Sequence, residues 1–176
     1  MKENKEKRIE DTFKFYFDFE DVSLQIEKLN NHFDKSHQLG DCLENGTVER
    51  VHSASEKAIA VFEQVFIDVT KEITLLIYEF PEPNAFNAPN SFLHSQINNI
   101  TDSIKISKKK FDIFLIKVPI KNINYKEILK TIVNTEMGFN PSTDQIVYFL
   151  DFETDNAFVM YDDRFCLTKS TTNLSF

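Results

Sequence analysis

The 176-residue chain predicts an α/β domain of the α+β kind, a mixed sheet with a C-terminal antiparallel hairpin and helices packed against it. Three features predict it. KEITLLIYEF (71–80) and FDIFLIKVPI (111–120) are dense in β-branched and aromatic residues and end at turn signals, as strands do. Residues 47–68 and 122–138 repeat apolar side chains every three and four positions, which lines one face of a helix. DQIVYFLDF (144–152) and NAFVMYD (156–162) are two further strands joined by a hairpin-length polar link, Glu153 to Asn156.

Taken in order, residues 1–11 are almost all charged or polar and read as a solvated tail, leaving 12–176 as one domain. FKFYFDF (13–19) is a short strand or the start of a helix. In 21–33, Ile26, Leu29 and Phe33 share a helical face. Residues 35–49 read as a loop with a turn at Asn45-Gly46. The clearest helix is 47–68, with Val51, Ala54, Ala58, Val61, Phe62, Val65, Phe66 and Val69 on one stripe. After the strand at 71–80, Pro81 and Pro83 stop the pairing, and a helix is expected from about Asn90 to Ile104. The helix at 122–138 carries its own punctuation. Asn124 and Glu127 make a capping pair, Gly138 suits the left-handed position past the end, and Pro141 prevents continuation. A last short strand is expected at 165–169, after an Asp-Asp-Arg turn.

Composition narrows the function classes. Hydrophobic residues make up 41% and charged residues 27%, the balance of a globular chain, and 18 Phe with no Trp point to an aromatic core. The net charge of −8 argues against a general nucleic-acid binder, which needs a basic face, and favours a basic protein as partner. The one basic run, Lys108-Lys109-Lys110, reads as a solvated loop before a strand. Cys42 and Cys166 are too far apart for a zinc ribbon or redox pair and read as free thiols. The charged N-terminus has no apolar run behind it and no stretch has the length to span a bilayer, so a cytoplasmic location is expected.

Glycine at only 40, 46 and 138 leaves no phosphate-cradling loop. No His-Glu-x-x-His zinc motif and no Gly-x-Ser-x-Gly elbow is present, so no catalytic residue, metal ligand or cofactor is assigned. What remains is Tyr161-Asp162-Asp163-Arg164. Read as an enzyme, Asp162 or Asp163 is a general base or metal ligand and Arg164 clamps an anion, with Glu136 and Asp151 as further candidate groups. Read structurally, the two carboxylates hold a turn and the arginine folds back onto one of them.

The segment 124–166 resembles a bacterial family of unknown function. Its marks are a helix ending in Glu-x-Gly-x-x-Pro, here Glu136 to Pro141, then a hairpin and a Tyr-Asp-Asp-Arg-Gly signature, here with Phe165 in place of the glycine. Residues 56–66 resemble the upstream helix of that family. Phenylalanine disfavours the positive φ that glycine would permit, so the turn is expected to differ here. The resemblance implies an immunity protein that neutralises a cognate polymorphic toxin domain, such as a basic nuclease, by direct contact. The expected contact residues are Asp155, Asp162, Asp163 and Arg164 at the hairpin end. A scaffold domain with an unrelated partner is the remaining alternative.

Overall fold

The computed structural model describes residues 20–40 and 42–171; the segments expected at 1–11 and 13–19 lie outside them. Seven strands form one sheet: β1 (Lys35–Gln38), β2 (Glu72–Glu79), β3 (Asp102–Ser107), β4 (Asp112–Pro119), β5 (Ile146–Asp151), β6 (Asn156–Met160) and β7 (Phe165–Lys169). Their spatial order is β1-β7-β6-β5-β2-β4-β3. The helices are α1 (Val22–Asn30), α2 (Val48–Val65), α3 (Ser91–Ser95) and α4 (Tyr125–Met137). The class is α+β, with the expected C-terminal hairpin β5–β6. Each strand pairing is antiparallel, so the parallel neighbours that a mixed sheet implies are not formed.

The central strands bury both faces, which is why they read as continuous apolar runs. Ile73, Leu75 and Ile77 of β2 meet Phe62 of α2 and Leu129 of α4 in one core. Leu76 and Tyr78, pointing the other way, pack with Tyr148, Val159 and Leu29 of α1 in a second. The helix-side core is the aromatic one. Phe62 stacks on Tyr125 at 4.4 Å and meets Phe149 and Phe158 edge-on at 4.9 and 5.4 Å. Each fully buried Phe contributes roughly 1.5–3 kcal/mol, so this cluster is a large share of what holds α2 and α4 to the sheet.

Local chemistry sets the element ends. Asp21 caps α1 by accepting from the Ser23 and Leu24 amides, and Thr47 caps α2 through the Arg50 amide. Gly138 takes φ 74 at the end of α4 and Gly46 takes φ 78 in the Asn45-Gly46 turn, both as expected. The Asn124 cap is different. Its side chain donates to Gln96 Oε1 at 3.0 Å instead of closing on its own helix, and so ties α4 to the α3 segment.

Two strands differ from expectation. The helix expected over 90–104 stops at Ser95; Asn99 turns left-handed at φ 47, and β3 follows from Asp102. The alternation of Ile104 and Ile106 with polar neighbours is a strand period that the longer helical reading overrode. β1 lies in the expected loop; KSHQ has no apolar residue to announce it. The lysine run forms the β3–β4 turn, closed by the Lys108 amide on the Phe111 carbonyl at 2.9 Å.

Candidate functional site

Asp162, Asp163 and Arg164 form the turn between β6 and β7. The backbone places them at the sheet end where α4 finishes and α2 begins. Asp162 Oδ1 accepts from the Arg164 amide at 2.9 Å, while Oδ2 accepts from Arg164 Nε at 2.9 Å and from Nη2. This fork-on-carboxylate pair is what Asp-x-Arg spacing in a tight turn can build. The Asp162 hydrogen bond and charge raise the Arg164 pKa further above its ordinary value. Arg164 stays 65% exposed, with Glu136 at the end of α4 close enough to act on its charge.

Asp163 turns inward. Its Oδ2 accepts from Arg50 Nε at 2.5 Å; Asp163 is buried, at 4% exposure, and Arg50 is largely covered, at 11%. Arg50 is one turn into α2, and its Nη1 also donates to the Leu43 carbonyl at 2.8 Å. Gly40 passes beneath. Its amide donates to the Asp163 carbonyl at 2.9 Å, and a Cβ there would sit 3.0 Å from that oxygen and 3.0 Å from Ala54 Cβ. The glycine is required by this close approach, not by its backbone angles.

Tyr161 reaches the opposite face. Its hydroxyl donates to Asn30 Oδ1 on α1 at 2.7 Å and shares a short hydrogen bond with Tyr148, which is also bonded to Asn30 at 3.1 Å. Burial, opposed by its hydrogen bonds to Tyr148 and Asn30, pushes Tyr161 up to about 12; burial, reinforced by the charge and hydrogen bond of Tyr161, pushes Tyr148 well above the usual range, so both stay neutral. Four consecutive residues thus fasten α1 on one side of the sheet and α2 on the other.

The expected contact residues do not all converge. Asp155 sits on the β5–β6 turn, at the far end of β6 from Asp162, about 23 Å away at strand rise. It takes φ 59 and pairs with Lys169. Asp151 is also at that end. Its Oδ2 accepts from Lys71 Nζ at 2.9 Å and from Thr154, and its Oδ1 from the Glu153 and Thr154 amides. Burial pushes its pKa up, but the Thr154 and Lys71 hydrogen bonds outweigh this and hold the carboxyl below its ordinary value. Glu136 is therefore the one further candidate that joins the signature. Phe165 opens β7 opposite Gln38 and takes no left-handed angle, so the glycine's freedom is not needed.

Sequence reasoning missed Arg50, Gly40 and Asn30, which hold the signature from 113, 123 and 131 residues away. Gly40 was the legible one, as one of three glycines in the chain. Cys166 is buried in β7 with its thiol pushed up to about 12 by burial, an inert group; Cys42 is exposed. Among the described residues no group of three or more His, Cys, Asp or Glu is placed to hold a metal ion, and no helix is long and apolar enough to cross a membrane.

An antiparallel α+β domain riveted at one corner by a Tyr-Asp-Asp-Arg turn is the class that fold and site define. The chain belongs to the family described as Domain of unknown function (DUF3885), which it matches over residues 8–171. No curated protein and no solved structure matches it.

Proposed function

We propose that this chain is an acidic binding protein of the immunity type, which neutralises a cognate toxin domain by direct contact in the cytoplasm. The observation that carries the reading is the commitment of both signature carboxylates. Asp162 holds Arg164 and Asp163 holds Arg50, so each signature carboxylate has a structural partner within the chain. This favours a structural signature that presents a surface over a catalytic one.

The surface it presents is the corner around Arg164. Exposed Glu44, Glu49 and Glu136 outnumber the exposed Arg164 there, and Leu43 and Val48 add apolar area at 41% and 65% exposure. A mixed patch of this kind, on a chain of net charge −8, suits a basic protein partner. Asp162 and Asp163 act in this reading by positioning Arg164 and the 42–48 loop, whereas Asp155 lies on a separate surface.

Co-expression with the product of the adjacent gene tests the proposal. A complex that survives affinity purification, together with protection of cells from that product, is expected. Absence of both overturns it. Arg164→Glu is expected to weaken the complex and also to lower the melting temperature of the free protein, because Asp162, at 8% exposure, loses its partner; Glu44→Lys, at an exposed position of the same corner, is expected to weaken the complex with the melting temperature kept.

A further inference from the structure

Outside the signature corner, the face of α2 and α4 that points away from the sheet carries a groove of about 370 Å³. Val48, Val51 and Ile59 of α2 form its apolar floor. The rims carry opposite charge. Glu56 stands with His52 on the α2 side, and Lys126 and Lys130 on the α4 side, with Glu127 between the lysines. We propose that this groove is a self-association surface, joining two copies of the chain about a two-fold axis parallel to the helices. The groove shares Val48 with the corner proposed above for the toxin partner, but it is tested on the free chain alone, so the two proposals can fail separately.

The charge pattern selects both the occupant and the axis. The two helices run antiparallel. Phe62 stacks on Tyr125 near the end of α2 and the start of α4, while the Gly46 amide meets Met137 Sδ at 3.1 Å at the other end. Lys126 lies level with Glu63, which it pairs at 3.2 Å, so Lys130, four residues on, lies within about one helical turn of the height of Glu56. Rotation about an axis along the groove lays α2 of one copy over α4 of the other at unchanged height. Glu56 then faces Lys130 of the second copy, twice by symmetry. An axis across the helices would lay α2 on α2 and set glutamate against glutamate. Only the first arrangement is complementary, and it also closes the floor around Val48, which is otherwise 65% exposed.

The helices are about 27 and about 20 Å long, which gives a face of roughly 500 Å² per copy. Two such faces reach the lower bound of specific interfaces, so the dimer is weak and reversible.

Sedimentation velocity of the full chain, from about 1 to about 300 µM, tests this. The expected result is a rise from the 20.6 kDa monomer toward twice that mass. Glu56→Lys and Lys130→Glu alone each place like charges face to face and should raise the Kd about tenfold or more. The double variant restores opposite charges and should return to within about threefold of the original value. Both positions are exposed, and circular dichroism confirms the fold of each variant. A chain that stays monomeric throughout the range overturns the proposal. So does a double variant no tighter than the single ones.

Discussion

The two ends of β6 carry the same residue types and use them differently. At one end, Asp151 closes β5 and Asp155 sits in the β5–β6 turn, and their lysines, Lys71 and Lys169, remain 28% and 22% exposed. At the other, Asp163 meets an arginine that is 11% exposed, under a glycine with no room for a methyl group. A lysine on a flexible stem that reaches solvent can rehydrate when its partner is lost; a buried guanidinium cannot. The difference teaches that the worth of a turn carboxylate is set by the burial of its cation, not by the local sequence.

The sharpest way to break this comparison is Asp163→Ala, which strands Arg50 in the interior. It is expected to cost about 3 kcal/mol in urea denaturation. Gly40→Ala comes next, at about 2 kcal/mol by the same measurement, because the new methyl meets backbone and Ala54 and not a flexible chain end. Asp151→Asn should cost about 1 kcal/mol at neutral pH, with a distinctive acid signature. The folded-state pKa of Asp151 lies below its ordinary 3.8, so its contribution is complete above that value and disappears as the pH falls through the lower folded value. Wild type and Asp151→Asn should therefore converge in stability in the acid limb below about pH 4. The smallest effect is expected at Asp155→Gly. Relief of the φ 59 conformation offsets the half-exposed pair with Lys169, and the net change should stay within about 0.5 kcal/mol.

Much of the fold was legible in the sequence because period and punctuation agreed. The α2 stripe, the Gly138 stop and the β5–β6 hairpin each had an apolar period bounded by a turn residue. β1 and β3 are both edge strands, where polar residues discourage further pairing; β1 had no apolar signal at all, and the short alternation of Ile104 and Ile106 in β3 was too brief to outweigh the helical reading. The Asp-Asp-Arg element was visible as a turn with a folded-back arginine, and the Asp162–Arg164 pair has that form. The fate of Asp163 was not visible. Its partner lies 113 residues earlier, and nothing local to either residue records the pairing. The grouping of Asp155 with Asp162 came from closeness in sequence, which a five-residue strand turns into opposite ends of the sheet.

The central claim is that the Tyr-Asp-Asp-Arg turn is a rivet whose buried half is the Arg50–Asp163 pair. A double-mutant cycle of Arg50→Ala and Asp163→Ala, read by urea denaturation, tests it most directly. The account predicts a coupling of about 2 kcal/mol or more, with the double variant more stable than the sum of the single losses would allow. A coupling indistinguishable from zero, with each single variant costing less than about 0.5 kcal/mol, would contradict it.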